Sequence, residues 1–146
     1  MKIALVSLAL VLGTLIAVQG SINANLGRSL NHPLQAAMVN FLVGGAVLVM
    51  INLFIKAPFP DWPAIKSIPT YLFIGGVLGA IFVSMAIILI PRIGVANTLG
   101  AALVGQLIMS VIIDHFGWLG AQAQSLSPAR IAGVALLLAG LYLVQK

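Results

Sequence analysis

"VQGSINANLGRSLNHPLQAAMVN", residues 18–40, decides how this chain is to be read. It holds four asparagines, two glutamines, two serines and a histidine, and no acid. Mostly apolar stretches flank it, residues 3–18 before it and 41–55 after it. A dense group of neutral hydrogen-bonding side chains between two such stretches is the turn of a helical hairpin, provided the stretches lie in a bilayer.

Composition supplies that condition. Hydrophobic residues make up 62% of the 146 residues and charged residues only 6%. Soluble domains carry roughly 25% charged residues, so this chain could not clothe a surface facing water. Its length suits one domain, residues 1–146. The net charge is +5, but the basic residues are scattered singly, with no basic stripe and no interleaved aromatic platform, which argues against nucleic acid as a partner. The absence of cysteine excludes disulfides, iron–sulfur clusters and thiol chemistry. No cofactor or metal is implied.

A spanning helix needs about 20 mostly apolar residues. Five segments qualify, at about residues 3–25, 33–55, 71–90, 94–113 and 128–144. Pro33 and Pro128 stand at first-turn positions, where a missing N–H does no harm, and Ser127 is an N-cap. "IPRIG", residues 90–94, separates the third and fourth spans. The longest connection, "KAPFPDWPAIKSIP", residues 56–69, has four prolines and reads as a stiff extended crossing. Trp62, Tyr71 and Trp118 fall where an aromatic belt would lie. "MKIALVSLALVLGTLIAVQG" has a secretory signal as its rival reading, but the run from Ile3 to Val18 is longer than an h-region of about 7–15 residues, so a retained first helix is expected.

Five spans put the termini on opposite sides. Lys2, Lys56, Lys66 and Arg130 then lie on the N-terminal side, and Arg28, Arg92 and Lys146 on the other. Orientation follows the difference in Lys and Arg, and this difference is almost nil. Few charges can balance by chance. The sharper reading is dual topology, in which copies insert both ways and pair as an antiparallel homodimer, reproducing from two identical chains the inverted repeat on which many transporters are built.

The polar groups sort by depth. Gln19 and Asn23 lie in the last turns of the first span, Asn40 early in the second, and Asn97 and Thr98 early in the fourth, all toward the C-terminal side of the membrane. Gln106 and Ser110 continue the fourth span inward. Gln19 with Asn23, and Gln106 with Ser110, stand i,i+4 and share a face. Unpaired in lipid, each amide would cost about 1–3 kcal/mol. Two readings stay open: hydrogen bonds between helices, averaging about 0.6 kcal/mol each, or the lining of a path for substrate. Asn25, Arg28, Asn31 and His32 read as a hydrated loop. Neutral amides suit a polar or zwitterionic solute, or a cation held by carbonyl dipoles. Asp114, one of only two acids, is a possible proton site, although "DHFGW" also reads as an interfacial turn. Small residues mark packing seams: Gly75 with Gly79, and Gly133 with Gly140. The last helix is the expected dimer contact.

"QGSINANLGRSL", "HPLQAAMVNFLVGG", "PRIGVANTLGAALVGQLIMSVIIDHFGWLG" and "RIAGVALLLAGLYLV" together resemble the YdcZ-type five-helix family of the drug/metabolite transporter superfamily, over nearly the whole chain. The resemblance implies an all-α integral membrane fold equivalent to one half of a ten-helix inverted-repeat transporter. It also implies a multi-pass protein of the bacterial inner membrane, and a homodimer or a homologous five-helix partner. The related four-helix multidrug exporters use a glutamate in the first helix. No acid occurs there in this chain, so their proton exchange does not carry over.

The expected function is a transporter half-unit working by alternating access. The alternative is a non-transporting membrane scaffold or accessory subunit. An enzyme is not expected, since HExxH, GxSxG, cysteine and an acid pair are all missing and His32 and His115 map to opposite faces of the membrane.

Overall fold

In hydrocarbon every backbone N–H and C=O must be paired within the chain, so apolar spans become helices. The computed structural model describes residues 2–146, apart from the side chain of Lys2, whose part in the charge count therefore lies outside the described residues. Its helices are α1 (Lys2–Ser29), α2 (Pro33–Phe54), α3 (Trp62–Ser67), α4 (Ile74–Ile93), α5 (Val95–Phe116) and α6 (Pro128–Val144), with 3-10 turns at Thr70–Phe73 and Trp118–Gly120. Among the described residues Ile3–Ser29, Pro33–Phe54, Thr70–Ile93 and Val95–Phe116 are long and apolar enough to cross a membrane. The apolar helix Pro128–Val144 is shorter, at 17 residues.

The span ends differ from the sequence reading by up to four residues, and three differences have a physical reason. First, α1 continues past Asn25 to Ser29, because its polar residues bond to one another along the helix. The Ser29 hydroxyl donates to the Asn25 carbonyl at 3.2 Å, and the Arg28 guanidinium donates to the Asn25 side-chain oxygen. Asn25 and Arg28 are therefore helical. The turn comes at Asn31, left-handed with φ 54°, a conformation asparagine tolerates. Second, the proline crossing is not extended throughout: Asp61 accepts from the Ala64 N–H at 3.0 Å and caps α3. Third, α4 runs through Pro91 to Ile93. So near the helix end, Pro91 forgoes only the bond its missing N–H would have made one turn back. The break falls at Gly94, whose φ of 85° and ψ of 160° belong to a region essentially reserved for glycine.

The chain divides into two compact units, residues up to Pro91 and Arg92–Lys146. In the first, one stripe of α1 is buried: Gly20, Asn23, Ala24 and Gly27. The spacing is i, i+3, i+4, i+7, one face of a helix. A Cβ added at Gly27 would lie 2.5 Å from Ile87 Cγ2 of α4, and one at Gly20 would lie 2.9 Å from Ile90 Cδ1. Ala36 and Ala37 of α2 complete this small core with Ile87. A Cβ added at Gly79 would lie 3.5 Å from the Phe41 ring of α2, whereas one at Gly75 would meet nothing within 4 Å.

The second unit is the α5–α6 hairpin. Gly117, at φ 63°, ends α5 in the left-handed conformation and donates its N–H to the Ile113 carbonyl. Ser127 accepts from the Arg130 N–H at 3.3 Å and opens α6, with Pro128 in the first turn. The helices pack closely at Gly100, where a Cβ would stand 3.0 Å from Leu141 Cδ1. A Cβ added at Gly133 or Gly140 would meet nothing within 4 Å.

Gly27→Ala is expected to lower stability by about 1–3 kcal/mol, because a β-branched side chain must move out of a packed position. Gly13→Ala, which meets nothing within 4 Å, is expected to be neutral or stabilising by up to about 1 kcal/mol. Thermal unfolding of the two variants in the same detergent separates them, and equal shifts would remove Gly27 from the seam.

Candidate functional site

The polar residues divide between the two units. In the first, Asn23 is buried at 6% exposure while Gln19, one turn earlier, is exposed. The i,i+4 pair is thus split by the stripe on which Gly20 and Gly27 lie, and only Asn23 sits in the seam. Asn40 of α2 is half-buried, and its side-chain nitrogen is shielded without a hydrogen-bond partner. Ser84 of α4 is also buried. Sequence reasoning passed over it because a lone serine in an apolar helix is unremarkable in pattern.

In the second unit most donors are turned back on their own helix. Asn97 donates its amide N–H to the Ile93 carbonyl at 2.8 Å, and the Thr98 hydroxyl donates to the Gly94 carbonyl at 2.8 Å. Such local bonds satisfy a polar side chain without a second helix. They also brace the backbone on either side of the Gly94 break. The Asn97 side-chain oxygen is shielded and without a partner. Gln106 is exposed, and its backbone carbonyl accepts the Ser110 hydroxyl at 2.8 Å.

The most developed polar arrangement lies at the loop end of the hairpin. Arg130 Nη1 stands 3.4 Å from Asp114 Oδ2, with the two side chains 33% and 36% exposed. The other guanidinium nitrogen, Nη2, donates to the Gln124 side-chain oxygen, and the Gln124 N–H donates to the Asp114 carbonyl at 2.7 Å. Acid, base and loop amide thereby close a ring. Opposite charges side by side neutralise each other, which is how ionisable groups are tolerated at a membrane helix. Beside the pair is a cavity of about 270 Å³, lined by Leu107, Ser110, Asp114, Arg130, Gly133 and Leu137 among others.

Of the expected residues, the structure brings Ser110, Asp114 and Gly133 to one cavity. Asn23 and Asn40 lie in the first unit. Gly140 lines a separate α5–α6 cavity with Gly100 and Leu141. Arg130 was counted in sequence only for its charge. The signal that could have placed it was the Ser127–Pro128 helix start, which puts Arg130 in the first turn of α6, at the same end of the hairpin as Asp114.

With this geometry in hand, comparison with known proteins adds one finding. The profile of the family described as "Putative inner membrane exporter, YdcZ" (DMT_YdcZ) matches residues 4–143, and the chain belongs to that family. No curated protein and no solved structure matches the chain. The expected resemblance is borne out, and the family description together with the long apolar helices makes this a multi-pass membrane protein of an exporter family.

Asn40→Leu is expected to leave the unfolding temperature unchanged or higher, because it deletes an amide nitrogen that has no partner. Asp114→Asn is expected to lower it, on the order of 1 kcal/mol for a half-exposed pair. A paired comparison by thermal unfolding checks both signs.

Proposed function

We propose that this member of the YdcZ family is a carrier half-unit: two copies in opposite orientations form one alternating-access transporter that moves a polar or cationic small molecule across the inner membrane. The family match over residues 4–143 carries the transport part of this reading. In this reading α6 is a fifth span, which puts the termini on opposite sides. The near-equality of Lys and Arg on the two sides supports insertion in both orientations. Gly75 has open space where a side chain would be, and small residues are what allow a second backbone to approach closely in lipid. The sequence offers no nucleophile–base pair, which favours a carrier over a catalyst.

In this reading the substrate-facing candidates are Asn23 and Asn40 of the first unit and Asn97, Gln106 and Ser110 of the second, with Gln19 one turn deeper than Asn23 on α1. Neutral donors and acceptors replace a solute's hydration shell without holding it too tightly to leave. Asp114, already paired with Arg130, is not an isolated carboxylate, so coupling to protons through it requires the pair to open.

Fusions of a reporter active only inside the cell, and of one active only outside it, to the C-terminus are expected to give signal in both cases. Signal from one alone rejects dual insertion and favours an accessory subunit. Asn23→Leu and Gln106→Leu are expected to reduce efflux at least tenfold at unchanged membrane abundance, scored on a substrate found by thermal-shift screening. Efflux at the parental rate in both variants would return these residues to helix-to-helix bonding.

A further inference from the structure

The geometry points to a binding subsite for a small zwitterion in the α5–α6 cavity, with an anionic group on Arg130, an ammonium on Asp114, and an apolar body against Leu107, Val134 and Leu137. It rests on the transport reading only for its purpose; binding itself is a separate matter.

The first observation is an uncommitted donor. Arg130 Nη1 is shielded from the surface and makes no hydrogen bond. Its 3.4 Å to Asp114 Oδ2 is well beyond the roughly 2.7–2.9 Å of a charge-assisted bond. Guanidinium is an obligatory donor that does not lose its charge. Nor is this one free to swing away, since Nη2 is held by Gln124, and Gln124 is held in turn by the Asp114 carbonyl. A ligand oxygen reaches Nη1 from the cavity as this long ion pair opens, exchanging a loose contact for a charge-assisted hydrogen bond.

The second observation is where the ion pair stands. Both of its residues line the same cavity, whose volume of about 270 Å³ is near the lower end of small-molecule clefts. Ser110 contributes an oxygen that still has accepting capacity, because its proton is given to the Gln106 carbonyl. Leu107, Val111, Val134 and Leu137 make the remainder of the wall apolar, and Gly133 contributes no side chain to fill it.

Charge then selects the class. With acid and base adjacent, a simple anion is repelled by Asp114 and a simple cation by Arg130. A molecule carrying both charges satisfies each of them. Two sources share that chemistry: a free amino acid with an apolar side chain, and the head group of an ethanolamine phospholipid, whose phosphate and ammonium are likewise a few bonds apart.

The test is thermal unfolding of the purified full-length protein in detergent. The probes are L-leucine, N-acetyl-leucine, leucine amide, and short-chain phosphatidylethanolamine against phosphatidylglycerol. L-Leucine is expected to raise Tm by several degrees, and the two singly charged analogues are not. Arg130→Gln should abolish the shift. Asp114→Asn should make N-acetyl-leucine as effective as leucine, a reversal of selectivity that a purely structural ion pair would not produce. Gly133→Leu, which fills the cavity, should remove the response, and serves if the charge variants fail to fold. A shift with phosphatidylethanolamine but not with leucine assigns the site to lipid. No response to either zwitterion, or a leucine shift that survives both Arg130→Gln and Gly133→Leu, overturns the proposal. Leucine binding in a protein that proves to have one fixed orientation would keep the site and remove the carrier.

Discussion

The Ile87 side chain rests where Gly27 has none, and the first unit depends on that contact. Lipid tails are as apolar as leucine, so burying leucine against leucine gains little in a bilayer. What remains is close fit. The seam of α1 supplies it with Gly20, Ala24 and Gly27, against which Ile87 and Ile90 of α4 approach to van der Waals distance. The same stripe carries Asn23. A polar side chain is therefore held in the one place where the helix surface is dry and crowded, by the glycines on either side of it. Packing and polarity in this unit are one feature of sequence.

The second unit is organised differently. Its donors are largely satisfied within their own helix: Asn97 on Ile93, Thr98 on Gly94, Ser110 on Gln106. Side chains paired in this way need no partner helix, which lets α5 and α6 stand apart enough to leave cavities between them. Only at the loop end do the two helices join through polar groups, where Asp114, Gln124 and Arg130 close their ring. One unit is joined by the absence of side chains, the other by the presence of charge.

Much of this was legible in the chain itself. Length and hydropathy mark the spans within a few residues, because the need to pair the backbone in lipid leaves helix as the only answer. The seam was less visible. Gly20 and Gly27 stand in plain sight within "QGSINANLG", but the amides between them mark that stretch as polar, whereas the seams expected from sequence are Gly75 with Gly79 and Gly133 with Gly140. A Cβ at Gly79 would meet Phe41, and one at Gly75 would meet nothing within 4 Å. The exposure of Gln19 beside the burial of Asn23 could not be read from i,i+4 spacing, which says that two residues share a face and not which face turns inward. Arg130 escaped for another reason: its partner lies across a loop, and no local pattern pairs them.

The helices also differ in reach. At about 1.5 Å per residue, the 28 residues of α1 extend about 42 Å and the 17 of α6 about 26 Å. The first exceeds the roughly 30 Å thickness of hydrocarbon, but its apolar run ends at Val18 and its last turns are polar. The second, if it crosses, falls short, and is accommodated by local thinning of the leaflets or by Lys146 reaching outward to the head groups. That shortfall of α6 ties the chain's behaviour to the acyl-chain length of the lipids around it.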